Sequence, residues 1–241
     1  MPSLNGAVVL VTGANGGIGT HFVHEALARG ASKVYATARS PRAWDDERIV
    51  PATLDVTDGA SIKRVAEAAG DVTVLINNAG AIPPSWSLLA VTDADIRANM
   101  ETNFFGPVLV ARAFAPILAS RSGSVLVDVH SVASWYASAG VYSASKAALW
   151  SATNSLRLEL APQGVHVIGV HMGYVDTEMA AGATGPKMHP AELVTKVYDA
   201  VESGAYEVIA DEISRRSKSG LSAAVEAVYP DLADAKPSSQ S

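Results

Sequence analysis

The sequence predicts an α/β fold, a single doubly wound domain whose parallel sheet of about seven strands carries helices on both faces. Two observations predict it. Short β-branched runs alternate with longer, Ala-rich segments along the chain, a pattern typical of βαβ units with right-handed crossovers. Several runs are nearly continuously apolar, as expected for strands that are covered on both faces. No linker separates the units, so we expect one domain over residues 1–241.

The β-branched runs are the predicted strands, and the Ala-rich segments between them are the predicted helices. The strands are expected at residues 7–12, 33–37, 49–54, 72–77, 124–129, 165–170 and 206–210. The helices are expected at residues 18–29, 61–69, 93–120, 141–160 and 191–202. Residues 93–120 are expected to form either one helix or two in succession, with Gly106-Pro107 near the joint or early in the second. Residues 210–229 form a mixed-charge amphipathic stretch, which predicts either a surface helix or a subunit interface. The tail from about residue 234 to residue 241 is expected to be disordered.

The composition excludes several classes of protein. Charged residues are 17% of the chain, the net charge is −6 and no Lys/Arg-rich run occurs, which argues against a nucleic-acid partner. The chain has no cysteine, which excludes disulfides, thiolate metal sites and a cysteine nucleophile and fits a reducing compartment. The first apolar run lacks a preceding basic region, and no later segment is predicted to reach membrane-spanning length. We therefore expect a cytoplasmic protein without a membrane partner.

A glycine-rich turn follows the first predicted strand and opens the first predicted helix. The segment reads TGANGGIG and places Gly13, Gly17 and Gly19 at spaced positions. Glycine lets the backbone approach a phosphate closely, and a helix N-terminus offers free N–H groups and a positive dipole end. The strand before and the helix after favour a dinucleotide site over the alternative, a plain glycine-rich turn.

A tyrosine and a lysine stand one helical turn apart at the start of the fourth predicted helix. Tyr142 and Lys146 share one face there because residues four apart are neighbours on a helix. A phenol titrates near pKa 10, and a neighbouring ammonium lowers that pKa. We therefore predict that Lys146 lowers the pKa of Tyr142, which then exchanges a proton with a carbonyl or alcohol oxygen.

Three motifs in this order resemble the short-chain dehydrogenase/reductase family: T-G-x-x-x-G-x-G from Thr12, NNAG from Asn77 and Y-x-x-x-K from Tyr142. The resemblance extends from residue 4 to about residue 210 and implies a Rossmann-type fold. It also implies a homotetramer or homodimer, in which the helix of Tyr142 and the long helix before it pack across subunits. The cofactor-binding positions that it implies are Gly13, Asn15, Gly17, Ile18, Gly19, Asp55, Val56, Asn77, Ala79, Gly80, Tyr142, Lys146, Gly173, Val175 and Thr177.

The end of the second predicted strand indicates which dinucleotide is bound. Ala38 occupies the place where NAD-using members of the family carry Asp, and Arg39 follows it. A carboxylate would repel a ribose 2′-phosphate, whereas Arg39 can hold it through charge-assisted hydrogen bonds, and Arg42 lies close by in the sequence. We therefore expect NADP(H); the alternative is a solvated Arg39 at a loop tip.

Two further residues complete the predicted catalytic set. Ser131 directly follows the fifth predicted strand, and the carboxyl ends of parallel strands line the ligand crevice, which favours Ser131 over Ser134. The resemblance implies that Ser131 binds the substrate oxygen, although the loop to Tyr142 is shorter than is usual in the family. It also implies that Asn103 holds a water that relays protons to Lys146; the alternative is an Asn that back-bonds within its helix.

Bulky side chains in the predicted loops suggest an apolar pocket. The candidate walls are Trp135, Tyr136, Met172 and Met179. Met172 replaces a proline that is usual in the family. The alternative is that some of these side chains only pack the loops. His130 and His171 lie at strand ends, and we assign them no role and predict no metal site.

The expected function is the NADPH-dependent reduction of a ketone or aldehyde to an alcohol, run backward when NADP⁺ and alcohol are abundant. Two alternatives stay open. A cofactor-binding regulator without catalysis could use the same turn, and a dehydratase or epimerase could use the same fold, because fold does not fix reaction.

Overall fold

The computed structural model describes residues 2–234. Its main sheet has seven parallel strands in the order β3-β2-β1-β4-β5-β6-β9. These strands are β1 (Val8–Thr12), β2 (Lys33–Ala38), β3 (Ile49–Thr53), β4 (Val74–Asn77), β5 (Val125–Val129), β6 (His166–His171) and β9 (Glu207–Ile209). All seven coincide with predicted runs, so the predicted fold class is confirmed.

Helices connect the strands and cover both faces of the sheet. They are α1 (Gly17–Ala28), α2 (Gly59–Ala68), α3 (Asp93–Met100), α4 (Gly106–Ala119), α5 (Gly140–Leu160) and α6 (Pro190–Ser203). A π-helical turn, Glu101–Phe105, joins α3 to α4 without a break, so the predicted helix 93–120 is continuous. Pro107 lies in the first turn of α4, directly after the π-helical turn.

The strand order reverses between β1 and β4. From β1 the chain passes through β2 and β3 to one edge, and then returns to lay β4, β5, β6 and β9 on the other side. In open parallel sheets the crevice at such a reversal binds ligands at the carboxyl ends of the strands. The glycine-rich turn after β1 and the NNAG segment after β4 meet at this point.

The apolar core has one layer on each face of the sheet. Phe22 of α1 and Tyr198 of α6 are fully buried on one face, and the Tyr198 hydroxyl donates to the Phe22 carbonyl at 2.8 Å. Phe114 and Leu118 of α4 are fully buried on the other face. Each such side chain stabilises the fold by about 1.5–3 kcal/mol relative to exposure.

The continuous helix Asp93–Ala119 is long and apolar enough, by length and composition alone, to cross a membrane. The expectation that no segment reaches spanning length is therefore wrong for this helix. Its buried side chains pack against the sheet, as in the core helix of an α/β domain.

Several short elements complete the fold, and only those within residues 210–229 had a predicted counterpart. The strands β7 (Tyr174–Val175) and β8 (Lys187–Met188) pair as a small second sheet beyond β6, and α7 (Glu212–Ser219), α8 (Val225–Val228) and α9 (Asp231–Asp234) follow β9. The amphipathic stretch is thus helical in part, with Ile213, Leu221 and Val225 exposed. The predicted disorder of the tail lies, apart from residue 234, outside the described residues.

Candidate active site

Two glycines of the turn after β1 sit where a side chain has no room. Gly13 has φ +67°, and a Cβ there would lie 3.0 Å from the Cα of Ala79. A Cβ on Gly19 would lie 2.1 Å from the carbonyl oxygen of Gly13. The turn therefore packs backbone against backbone at the sheet reversal, which requires glycine at both positions.

The N-terminus of α1 is open to an anion. Gly16 precedes the helix and no side chain caps it, and the first turn contains no acidic residue. N–H groups at such an end and the positive end of the helix dipole attract negative charge. These residues therefore fit the pyrophosphate of a dinucleotide, as the sequence predicted for Gly17, Ile18 and Gly19.

The segment after β6 closes the same crevice from the other side. Gly17 has φ +51°, and a Cβ there would lie 3.2 Å from Cγ2 of Thr177, while the Thr177 hydroxyl donates to the carbonyl of Val175 at 3.3 Å. The N–H of Gly173 donates to Asp211 Oδ2 at 2.6 Å. Asp211 also caps α7, and its role in holding the Gly173 turn has no counterpart in the sequence analysis.

Charged residues lie at the ends of β2 and β3. Arg39 is exposed directly after β2. Thr57 donates its N–H (2.9 Å) and its hydroxyl (2.7 Å) to Asp55 Oδ1. These bonds, together with the positive charge of Arg39, hold the pKa of Asp55 below its usual value. Arg39 is therefore near a carboxylate at the predicted adenosine end of the crevice.

Asn15 ties the glycine-rich turn to the loop after β2. Its amide donates to the carbonyl of Ser40 at 2.7 Å and accepts from the N–H of Arg42 at 3.3 Å. The guanidinium carbon of Arg42 lies 3.9 Å from the centre of the Trp44 ring, a cation–π contact. Asn15 therefore shapes the loop that carries Arg39, and Arg42 is engaged by Trp44.

The NNAG segment holds the end of β1. Asn78 donates its amide to the carbonyls of Thr12 (2.9 Å) and Gly13 (3.2 Å). Asn77 is buried, and its amide donates to Asp128 Oδ1 (2.9 Å) and to the carbonyl of Pro107 (3.1 Å). The Asn77 side chain therefore points into the layer under α4, and the contact of Asn77 with the cofactor stays a prediction.

Tyr142 and Lys146 lie on the first turns of α5, as predicted. Lys146 is 4% exposed, and its ammonium donates to the carbonyl of Val129 at 2.9 Å while lying 5.8 Å from the centre of the Tyr142 ring. Burial lowers the pKa of Lys146 to about 8, and the negative charge of Asp128 opposes that shift. The ammonium is therefore anchored at the end of β5, beneath the tyrosine.

The pKa of Tyr142 is not the one that the sequence predicted. Burial raises the pKa of this hydroxyl above its ordinary value, and a hydrogen bond with Ser131 only partly opposes the rise. The predicted net decrease is wrong for this arrangement, because burial outweighs the effects that favour the phenolate and the Lys146 ammonium bonds to the Val129 carbonyl. Tyr142 is thus a protonated phenol at neutral pH, which is the form that donates a proton.

Ser131 lies where β5 ends, next to Tyr142. It is 9% exposed, and its Oγ accepts the N–H of Ala133 at 3.2 Å, which caps a short 3₁₀ turn. Ser134, in that turn, is buried, and its hydroxyl has no partner among the described residues. The hydroxyl that interacts with Tyr142 is therefore that of Ser131, the serine that strand position favours.

Asn103 lies in the π-helical turn and is fully buried. Its amide accepts from the N–H of Ala81 and donates to the carbonyl of Ala81, both at 2.8 Å, and it also reaches Asn99 and Ser145 at 3.1 Å. A Cβ on Gly80 would lie 3.4 Å from Asn103 Oδ1 and 3.7 Å from Lys146 Nζ. Asn103 therefore fixes the chain beside Lys146, and its water-relay role stays a prediction.

The predicted pocket walls divide into two groups. Trp135 and Met172 are 6% and 4% exposed, and Trp135 stacks on His171 with ring centres 3.8 Å apart. The structure packs both side chains in the interior, and their role as pocket walls stays a prediction. Tyr136 is partly exposed and stacks on Tyr229, with centres 5.1 Å apart.

Met179 is exposed, as is Trp86. The Trp86 ring stands edge-on to the Tyr142 ring at 6.2 Å, because the loop after NNAG packs on the start of α5. A Cβ on Gly140, which has φ +52°, would lie 2.4 Å from the Trp86 carbonyl. The aromatic side chain of Trp86 therefore stands beside Tyr142.

Together, the sheet reversal, the uncapped glycine-rich turn and the Tyr142–Lys146 pair define a dinucleotide-type α/β protein with an acid–base pair. The family model described as short chain dehydrogenase matches residues 7–187. The chain belongs to this family, which confirms the resemblance.

Relatives are similar over most of this chain. "Short-chain dehydrogenase PC-15" of Penicillium crustosum is 37% identical over 187 residues, which are 70% of this chain and 66% of that protein. The "NADPH-dependent 1-acyldihydroxyacetone phosphate reductase" of Schizosaccharomyces pombe is 34% identical over 201 residues, which are 79% of this chain and 67% of that protein. The chain thus spans about two thirds of the length of these curated relatives.

A solved structure is similar over nearly its whole length. The short chain dehydrogenase from Burkholderia cenocepacia J2315 in complex with NADP is 38% identical, with a TM-score of 0.88. The match covers 95% of this chain and 98% of that chain.

Proposed function

We propose that the protein is an NADPH-dependent oxidoreductase that reduces a ketone or aldehyde to an alcohol, reversibly. The observation that carries the proposal is the placement of Tyr142, Lys146 and Ser131 at the end of β5 and the start of α5. The relatives support it, since the Schizosaccharomyces pombe protein is named as an NADPH-dependent reductase and the Burkholderia cenocepacia protein binds NADP.

Each residue of the site has a task in this reaction. NADPH, when bound, supplies a hydride to the carbonyl carbon. Tyr142 donates the proton that the carbonyl oxygen needs to become a hydroxyl, and its raised pKa keeps that proton in place before the reaction. Ser131 donates a hydrogen bond to the same oxygen, and Lys146 stabilises the phenolate that Tyr142 leaves behind. In the reverse direction Tyr142 accepts the proton.

The cofactor is assigned to residues whose surroundings fit it. Gly13, Gly17 and Gly19 leave backbone space at the N-terminus of α1 for the pyrophosphate. We assign the 2′-phosphate of the adenosine ribose to Arg39 and the nicotinamide end to the segment of Thr177.

A panel of carbonyl compounds tests the activity. Trp86 stands beside Tyr142, so apolar and aromatic ketones or aldehydes should be reduced best. Oxidation of NADPH is followed by absorbance, with the product identified by chromatography. Turnover of highly charged substrates alone would contradict the substrate class, and no turnover on any carbonyl would contradict the activity.

Replacing Arg39 with Ala is expected to raise the KM for NADPH by roughly 10- to 100-fold, because a charge-assisted hydrogen bond contributes about 1.5–3 kcal/mol. The KM for NADH should barely change, since NADH has no 2′-phosphate. Steady-state kinetics with both cofactors measure the effect.

The matched control is Arg48→Ala. Arg48 lies in the loop between β2 and β3 and pairs with Asp46 at 2.6 Å, and an exposed pair of this kind contributes little. This variant should keep the wild-type KM for NADPH. A wild-type preference for NADH, or equal effects of the two substitutions, would show that Arg39 does not select the cofactor.

A further inference from the structure

The two proposed catalytic hydroxyls are joined by one short loop. Five residues, the active-site loop (residues 135–139), separate the 3₁₀ turn after Ser131 from the helix of Tyr142. The N–H of Trp135 donates to the carbonyl of Val132 in that turn at 2.9 Å, and the N–H of Tyr142 donates to the last loop carbonyl at 3.0 Å. The position of the active-site loop therefore affects how the two hydroxyls lie relative to each other.

The backbone of the active-site loop is bonded to near neighbours, with one exception. The Ser143 hydroxyl accepts the N–H of Ala139 at 3.0 Å and donates to the carbonyl of Tyr136 at 3.2 Å. Ala137, an exposed residue, instead donates its N–H to the hydroxyl of Tyr229, 92 residues further along the chain, at 3.0 Å. Among the hydrogen bonds of the described residues, this one ties the loop to a distant part of the chain.

The ring of Tyr229 packs on the same loop. Its centre lies 5.1 Å from that of the Tyr136 ring, and the two ring planes are 17° apart. Stacked aromatic pairs stabilise a fold beyond the area that they bury. One side chain thus contacts two adjacent loop residues, Tyr136 through its ring and Ala137 through its hydroxyl.

Tyr229 belongs to a segment that is otherwise largely exposed. Residues 221–227 are exposed, whereas Tyr229 is partly buried directly after α8. Earlier in the segment, the Lys218 ammonium of α7 lies 5.7 Å from the centre of the Trp135 ring and pairs with Glu207 of β9. The stretch after β9, predicted as a surface helix or a subunit interface, therefore contacts the active-site loop at two places.

Loss of the Tyr229 contacts would leave the middle of the loop without a distant partner. Ala137 and Ser138 are exposed, and exposed loops with few contacts open at a low cost in free energy. A mobile loop would let the 3₁₀ turn and the first turn of α5 shift relative to each other. A misplacement of about 1 Å can lower a reaction rate roughly a hundredfold.

We propose that Tyr229 is a positioning residue for the active site. Its hydroxyl and its ring hold the active-site loop, and the loop keeps the hydroxyls of Ser131 and Tyr142 directed at one substrate oxygen. Tyr229 acts through the loop and is assigned no contact with substrate or cofactor. The effect on turnover rests on the proposed function, whereas the hold on the loop does not.

Two substitutions separate the contacts of Tyr229, and the same two at Tyr206 are the matched controls. Tyr229→Phe removes the hydroxyl and keeps the ring, whereas Tyr229→Ala removes both. Tyr206 is 57% exposed, and its ring lies 4.7 Å from that of His166 at the start of β6. Tyr206→Phe and Tyr206→Ala therefore remove a hydroxyl and an aromatic contact away from the active-site loop.

Hydrogen exchange at the Ala137 amide measures the hold on the loop without any substrate. It is followed by mass spectrometry with electron-transfer fragmentation, which resolves single amides. We expect exchange to be roughly 2- to 10-fold faster in Tyr229→Phe, as for the loss of one hydrogen bond. In Tyr229→Ala it should be roughly 10-fold faster or more, because the stacking is lost as well. Both Tyr206 variants should exchange at the wild-type rate.

Steady-state kinetics test the consequence for turnover. In Tyr229→Ala, kcat with an accepted ketone should fall roughly 10-fold or more, while the KM for NADPH stays within about twofold of the wild type. The KM is expected to persist because the glycine-rich turn assigned to the cofactor follows β1. Tyr229→Phe should recover most of kcat, since its ring still holds the loop. A merely structural effect would lower the Tm and raise the KM for NADPH together with the loss of kcat.

The outcomes separate the two proposals. Unchanged exchange of the Ala137 amide in folded Tyr229→Ala overturns the hold on the loop, and faster exchange with unchanged kcat overturns the positioning role. A wild type that turns over no carbonyl compound overturns the proposed function, and the exchange experiment still decides whether Tyr229 holds the loop. If Tyr229→Ala does not fold, Tyr229→Leu removes both contacts and fills more of the space, and the same changes are expected.

Discussion

Replacing Tyr142 with Phe is expected to lower kcat by roughly 10³-fold with NADPH and any accepted ketone, because proton transfer by a positioned acid contributes about 10²–10⁴-fold. The phenyl ring keeps its edge-on contact with Trp86, whose ring centre lies 6.2 Å away. The site should therefore retain its shape and still bind NADPH. Turnover is measured by NADPH oxidation, and binding by the quenching of tryptophan fluorescence.

Tyr206→Phe is the matched control for this substitution. Tyr206 is 57% exposed and lies next to β9, so the same chemical change there should leave kcat and thermal stability unaltered. A Tyr142→Phe enzyme that retains more than a tenth of wild-type kcat would exclude Tyr142 as the proton donor. Loss of NADPH binding together with activity would instead indicate that the hydroxyl serves cofactor binding alone.

This experiment also addresses the regulator alternative. A protein that only binds the cofactor has no turnover to lose, so wild type and Tyr142→Phe would behave alike. The raised pKa of Tyr142 and its contact with Ser131 favour an acid that donates its proton to a bound oxygen.

The strands of this fold are predictable because their sequence signal is local and redundant. A strand covered on both faces is apolar at nearly every position, as in Val125–Val129, where all five residues are buried and only Asp128 is charged. The two-residue strands Tyr174–Val175 and Lys187–Met188 pair with each other across a loop. Two residues are too few to show the alternation of apolar and polar side chains that predicts a strand. The hydrophobic pattern of the sequence therefore predicted the main sheet and did not predict the small one.

The active site was predictable where its geometry depends on one element. Tyr142 and Lys146 share one helix face, and Ser131 ends a strand, so spacing alone brings them together. The orientation of the Asn77 and Trp135 side chains depends on the neighbours that each contacts in the fold. In the structure both side chains point into the interior. Asp128 went unnoticed because an acid within a strand is recognisable only once its buried partners are known.

The pKa of Tyr142 shows the same limit. A lysine one turn away suggested an ammonium directed at the phenol, whereas the structure directs it to the Val129 carbonyl. Helical spacing fixes which residues are neighbours, but the orientation of a long side chain depends on the acceptors that surround it.

Gly19→Ala is expected to have the second large effect, on stability as well as on binding. A Cβ there would lie 2.1 Å from the Gly13 carbonyl oxygen and 2.9 Å from the Cα of Ala14, so the backbone of the turn must move. Overpacking of this kind costs about 1–3 kcal/mol or more. In a chain of 241 residues this lowers the Tm by roughly 2–12 °C, measured by differential scanning fluorimetry.

NADPH binding should fall more than stability does, because the displaced turn is the one that faces the pyrophosphate. A shift of about 1 Å in a positioned group can cost roughly a hundredfold, and we expect a loss of that order in affinity. Isothermal titration with NADPH measures it on protein that calorimetry shows to be folded.

Gly16→Ala is the comparison within the same turn. A Cβ there meets nothing within 4 Å, and its φ of −153° is open to any residue. The Tm should therefore stay at the wild-type value, although the composition of the turn changes by the same methyl group. Equal destabilisation by both substitutions would contradict this prediction. It would mean that the turn tolerates a side chain at neither position, so that the close contact at Gly19 is not the cause.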